Sequence, residues 1–222
     1  MTLRRWLISA FCALGLALGL GVPLAVPALA AMACPGCYGL TRIDGGLYSD
    51  TGTADDLAAM VRAARSTAVD AFGAKDPPDP TVLVCTTPEC DRRLGGKGAL
   101  ARAYGAVLIV VGPEGHNQTI LAHEYGHTIL AGALGSWGML TGKMPYWMNE
   151  GLVVLASNDA RYLAPGPACR IAPDGPLPET LAAWNAVASR DHATLYPRAA
   201  CAVLRAYGPP PYDLTALIES LP

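Results

Sequence analysis

The sequence predicts an α+β domain: a small mixed sheet lobe followed by a mostly helical C-terminal lobe. Three observations predict it. The short β-branched apolar runs, TVLVC at 81–85 and AVLIVV at 106–111, both lie in the first half of the 222-residue chain. Residues 54–72 carry a helical apolar period, and beyond about residue 119 the remaining apolar segments also recur at helical spacing. Strands first and helices afterwards is an α+β order.

The elements follow in chain order. Arg4 and Arg5 precede a stretch, Trp6 through Ala33, with no charged residue. Ala28-Leu29-Ala30 is a small-x-small cleavage pattern that would start the mature chain at Ala31. The uncharged run also exceeds the roughly 18 residues that can span a bilayer. Residues 1–33 therefore read as a signal peptide or an N-terminal membrane anchor, and 34–222 as a single domain, long enough for one good core. Either reading exports the domain and allows a membrane tether.

Residues 38–50 read as an extended segment with a turn at Gly45-Gly46. In 54–72, Leu57, Met60, Val61, Ala64, Ala68 and Phe72 fall on one side, with Asp55 and Asp56 in the first turn, where acidic groups complement the helix dipole. Pro77, Pro78 and Pro80 make a stiff connector to the first β-branched run, and 91–104 reads as a Gly-rich connector to the second. A helix is predicted from near Thr119 to about Ala131, stopped by Gly132 and Gly135, then a glycine-rich loop to Pro145. A second helix begins near Tyr146 and runs to Ser157. After a proline-rich irregular stretch, 179–190, 197–207 and 213–220 read as helices.

A net charge of −2, with no basic stripe, gives no indication of nucleic-acid binding. Cys12 lies in the leader. Six cysteines remain, an even number that favours disulfides in an exported chain. Proximity suggests Cys34–Cys37, Cys85–Cys90 and Cys169–Cys201. The alternative for Cys34-Pro35-Gly36-Cys37 is a redox motif, which should open a helix after a strand rather than follow a leader.

The chemistry concentrates in His123-Glu124-Tyr125-Gly126-His127. The chain has only 4 histidines, and chance rarely places two of them around a glutamate in this pattern. Histidines four apart on a helix project from one face and can bind one metal together, while Glu124 is placed to reach a water rather than the metal. The flanks, TILAHEYGHTILAG, are apolar, and unpartnered polar groups would be costly there. A zinc site needs a third ligand and an open position. Leu130 and Ala133 stand where the metzincin pattern requires glycine and histidine, so that continuation is excluded.

A different continuation is present, Pro145-Tyr146-Trp147-Met148-Asn149-Glu150-Gly151-Leu152. It resembles the W-x-N-E-G signature of the gluzincin zinc metallopeptidases, nearest to the small peptidase-MA-like proteins and the core of the alanyl aminopeptidases, over about residues 103 to 207. The resemblance implies a zincin-like fold and one zinc ion per chain held by His123, His127 and Glu150. Glu124 would be the general base, and a peptide or protein the substrate. It also implies that AVLIVV is an edge strand that pairs with extended substrate. Tyr196, in LYPRAACAVL, resembles the aminopeptidase tyrosine that donates its hydroxyl to the tetrahedral intermediate, with Pro197 at the first position of a helix. His192 is the alternative donor. The pattern departs from the thermolysin group at Val154, where an aspartate would support a histidine, so the outer partners of the histidines are unassigned. An aminopeptidase-type glutamate site for a free amino terminus is not found.

Among other residues, His116 reads as a rim position and Trp137 and Trp147 as core. Asn117-Gln118-Thr119 is a glycosylation sequon beside the zinc helix that is expected to stay unmodified. Two alternatives to a peptidase stay open: a zinc-binding protein without turnover, and a hydrolase of non-peptide amides.

Overall fold

The computed structural model of the protein describes residues 26–51, 55–166 and 168–221. The leader up to Ala25 lies outside the described residues. Among the described residues no helix is long and apolar enough to cross a membrane.

The first described element is α1 (Pro27–Ala33), followed by a 3₁₀ turn at Pro35–Tyr38. Strands β1 (Thr41–Asp44) and β2 (Leu47–Ser49) form a hairpin across Gly45-Gly46, and helix α2 (Asp55–Phe72) follows. Strand β3 (Thr81–Val84), helix α3 (Pro88–Arg93), and strands β4 (Ala101–Tyr104) and β5 (Leu108–Val111) complete a five-stranded sheet ordered β1-β2-β3-β5-β4. It is mixed: β2, β3 and β5 run parallel, and β1 and β4 are antiparallel edges.

This order corrects two expectations. β5, the AVLIVV segment, is not an edge strand. Its four residues are fully buried between β3 and β4. The edge is β4, inside the stretch that reads as a Gly-rich connector. That stretch also overlaps α3, which Thr87 caps: its hydroxyl accepts from Cys90 N at 3.3 Å.

Successive strand residues face opposite sides of the sheet. Val82, Val84, Ile109 and Val111 enter a large inner core with α2 and the later helices. Leu83, Leu108 and Val110 enter a smaller outer core, closed by Ala28 and Ala31 of α1 and by Cys85, Cys90 and Leu94. All three cysteine pairs inferred from proximity are disulfides: Cys34–Cys37, Cys85–Cys90 and Cys169–Cys201. They indicate an oxidising, non-cytosolic compartment.

Helix α4 (Gln118–Thr141) continues well past Ala131, with its only non-helical backbone at Gly135. Gly132 does not stop it. A Cβ there would meet Pro78 Cγ at 2.7 Å, so this glycine lets the proline connector pack against the helix. Helix α5 (Tyr146–Ala156) follows after a short connection. Helix α6 (Leu181–Tyr207) merges the two expected helices across a break at Asp191. Pro197 consequently lies inside α6, past that break, not at the first helical position. Helix α7 (Leu214–Glu219) ends the described fold.

Two close helix crossings position the site. A Cβ on Gly126 would meet Val153 Cγ1 at 2.8 Å and Phe72 Cε2 at 3.2 Å, so glycine between the two histidines lets α4 lie against α5 and α2. A Cβ on Gly151 would meet the Ala199 carbonyl oxygen at 2.5 Å, which fixes α5 against α6. These glycines flank the chemistry-bearing residues directly, so site geometry and helix packing are set at the same points.

Candidate metal centre

Asn117 opens α4, and its side chain accepts from Thr119 N at 2.8 Å, an N-cap that commits the sequon asparagine to the helix start. Two turns later His123 and His127 project from one face, their rings 4.8 Å apart edge to face. Helix α5 brings Glu150 to them. Glu150 Oε2 lies 3.4 Å from His123 Nε2 and 3.7 Å from His127 Nε2. Two donors each about 2.0–2.1 Å from one tetrahedral ion are separated by roughly 3.3 Å, so these separations suit ligands around a common centre. The ligand atoms of the three residues all lie within 4.8 Å of one another. The group can hold a metal ion.

The polar atoms agree with that reading. Glu150 Oε2 is buried without a hydrogen-bond partner, although Glu150 is only 4 % exposed. An orphaned buried carboxylate oxygen facing two imidazoles is costly, and a cation between them satisfies all three groups. His127 Nδ1 lies 2.6 Å from Asn149 Oδ1. An Nδ1–H donor to that amide oxygen leaves Nε2 as the free lone pair aimed at Glu150. Asn149 is thus the outer partner that sequence reasoning left unassigned. His123 Nδ1 has no such partner among the described residues. Asp159 turns away and binds Arg161, with Arg161 Nε 2.9 and 3.0 Å from its two oxygens.

Burial works against a charged His123, but the Glu150 carboxylate beside it, then the charges of Glu124 and Asp159, raise the imidazole above its usual range. Burial likewise opposes the Glu150 carboxylate, and the charges of His127 and His123 overcome it and lower its pKa.

Glu124 is 8 % exposed and lines the cleft beside His123, His127 and Glu150. The cleft has a volume of about 790 Å³. One wall is the edge strand β4 through Ala101, Arg102 and Ala103, and another is an apolar rim of Leu134, Met139, Leu140 and Leu181. Arg102 is tied back by a 3.3 Å ion pair to buried Asp91.

Tyr196 reaches this cleft, its ring 6.4 Å from that of His123. Pro197 does not set its direction. Tyr196 stacks on Tyr162 at 4.8 Å and meets the edge of Trp184 at 5.0 Å. Arg161, held by Asp159, lies over the Tyr162 ring, 5.1 Å from its centre. Tyr146 also lines the cleft, one helical turn before Glu150, and is a second phenol that sequence reasoning missed. Burial, then the Glu150 carboxylate, raises the pKa of both tyrosines, so both keep their protons and can donate. The spacing of Tyr146 to Glu150 along one helix face was the available signal.

The remaining candidate residues lie elsewhere. His192 is exposed and is not among the cleft-lining residues. The ring of His116 lies 3.0 Å from the Cys85 carbonyl oxygen, in the loop before α4. Trp147 packs against the core as expected, whereas Trp137 is 75 % exposed and is not a core residue.

Comparisons with protein-family models, with curated proteins and with solved structures return no match.

Proposed function

We propose that this protein is an exported, zincin-like zinc metallopeptidase of the gluzincin type. The observation that carries the reading is the convergence of His123, His127 and Glu150 on one point of an open cleft, with Glu124 on the cleft wall beside them. Two imidazoles and a carboxylate form a nitrogen–oxygen donor set suited to zinc. When bound, zinc supplies Lewis acidity that polarises a scissile carbonyl and makes water a nucleophile near neutral pH.

The protein's own groups account for the remaining steps. Glu124 accepts the proton of the attacking water and delivers it to the leaving nitrogen. Asn149 holds His127 in the tautomer that leaves Nε2 free. The Tyr196 hydroxyl donates to the oxyanion of the developing tetrahedral species. An extended peptide pairs with the outer backbone of β4, which gives affinity with little sequence preference, while its side chains meet the apolar rim.

The test is digestion of a peptide library by the purified protein with and without a chelator, repeated with Glu124→Gln. Cleavage that the chelator abolishes, and that Glu124→Gln lowers by about 10²–10⁴ with zinc retained, is expected. Zinc binding with no cleavage of any peptide would replace the proposal with a non-catalytic zinc protein, and unchanged turnover in Glu124→Gln would rule out the mechanism.

A further inference from the structure

Among the described residues six large apolar side chains are exposed, and four of them gather at the cleft rim. Met139, Leu140 and Leu181 line the cleft, and Trp137 stands two residues before Met139. Apolar surface collected in one place, rather than scattered singly, marks an interaction site. The rim is built from two pieces, and they are held in different ways.

Leu181 belongs to the fixed piece. It opens α6, and the chain just before it is pinned to α5: Tyr146 N donates to the Glu179 carbonyl at 2.8 Å and Trp147 N to the Pro178 carbonyl at 3.1 Å. Trp137, Met139 and Leu140 ride on Ser136–Thr141, which is bounded by two glycines. Gly135 has φ 67° and ψ 171°, a backbone region essentially closed to other residues. Gly142, at φ 66° and ψ 34°, is left-handed. A Cβ on either would meet nothing within 4 Å, so these glycines serve the backbone and not packing, unlike Gly126, Gly132 and Gly151. The fold is firm on both sides of them: Leu130 is 0 % exposed, Met144 is buried, and Lys143 Nζ donates to the Ile218 carbonyl at 3.4 Å. Between them only Gly138 is buried, resting on Leu134. The segment is otherwise closed on itself, with Thr141 Oγ1 donating to the Trp137 carbonyl at 2.9 Å.

We propose that Ser136–Thr141 is a flap that swings on Gly135 and Gly142, and that with Leu181 it selects extended polypeptide segments carrying bulky apolar side chains. The inference rests on the peptidase reading and names the substrate class of that site. A compact turn between two unstrained pivots moves as a unit, with the change confined to the backbone torsions of the pivots. Closure withdraws Met139 and Leu140 from water together with the side chains they cover, which favours the closed form only when the bound segment is apolar. The charges in the cleft agree. Apart from Glu124 and the His123, His127 and Glu150 cluster, its charged lining residues are Arg102, already paired with Asp91, and Glu179. The rim therefore offers little to a charged side chain and much to an apolar one.

The test uses the purified zinc-loaded protein carrying Glu124→Gln, so that peptide is bound and not consumed. Two unstructured peptides are compared, one with a central leucine–phenylalanine pair and one with serine–asparagine in its place. Affinity is measured by calorimetry, and backbone hydrogen exchange across residues 136–142 by mass spectrometry. The apolar peptide should bind at least about tenfold more tightly, and it alone should slow exchange in the flap. Leu140→Ser and Leu181→Ser, at exposed positions that the fold tolerates, should each weaken the apolar peptide by about tenfold and leave the polar one unchanged. Gly135→Ala, which forbids the pivot conformation, should lose the slowed exchange at unchanged zinc content. Equal affinity for the two peptides, or flap exchange that the apolar peptide does not slow, would overturn the flap while wild-type cleavage of peptides stood. Slowed exchange kept in Gly135→Ala would overturn the hinge. A wild-type protein that cleaves no peptide, with neither probe bound, would remove the peptidase reading and this inference with it.

Discussion

The two faces of the sheet solve different problems. The inner face supports a core built from α2, α4 and α5, and that core surrounds a cluster of buried ionisable groups. The outer face supports a small core with few large side chains, supplemented by the Cys85–Cys90 disulfide and closed by α1, with Cys34–Cys37 just beyond it. Burying His123, Glu124 and Glu150 opposes folding, and a large apolar core is what allows it. A small core has no such reserve, and its fold leans on covalent bracing instead. The lesson is that function and stability are partitioned across one sheet: damage to one face should leave the other readable.

The largest expected effect tests this partition on the inner face. Glu150→Ala should remove most of the zinc measured by elemental analysis, because two histidines alone make an incomplete site. Thiol labelling should still find every cystine in the described fold oxidised. Full zinc retention would sink the ligand assignment. Next, Tyr196→Phe should lower kcat by about 10²–10³ at constant zinc, by analogy with loss of one oxyanion donor. A loss below about tenfold would move that role to Tyr146, the other cleft phenol facing Glu150. Third, Asn149→Ala should weaken zinc affinity by about 10–100-fold in a chelator competition, because His127 loses the partner that orients it. Unchanged affinity would make the 2.6 Å contact incidental.

The smallest effect belongs to the outer face. Replacing Cys85 and Cys90 together by serine opens a short loop and should cost about 2 kcal/mol, which lowers Tm by roughly 5 °C. Zinc content and turnover should not change. A parallel loss of zinc in this variant would show that the faces are coupled through β3 and β5 and would end the partition.

The sequence makes much of this legible where the signal is local. The α2 stripe from Leu57 to Phe72 and the β-branched β3 and β5 segments each carry a period or composition of their own. His123 and His127 are legible because helix spacing fixes their mutual geometry, whereas Glu150, on another helix, is legible only through the resemblance of its segment to the gluzincin signature. What is not legible depends on register between distant elements. β4 is four residues, ARAY, with no strong strand signal, and it exists because β5 offers it an edge. Gly132 reads as a helix stop, yet its missing side chain is filled by Pro78, and that contact cannot be seen from either residue alone. The role of Asn149 requires knowing how α5 is rotated against α4. The direction of Tyr196 depends on Tyr162 and Trp184, which lie on segments that no local pattern connects.

The break at Gly135 leaves Trp137 on the surface, 75 % exposed, a few residues from Met139 and Leu140 on the cleft rim. Trp184 is 1 % exposed and Trp147 is partly buried. The indoles of the described domain therefore sit in contrasting polarities, and Trp137 is the one expected to emit furthest to the red. A collisional quencher such as acrylamide reaches it first, so the protein carries a built-in optical gauge beside the cleft rim, readable without a label and without turnover.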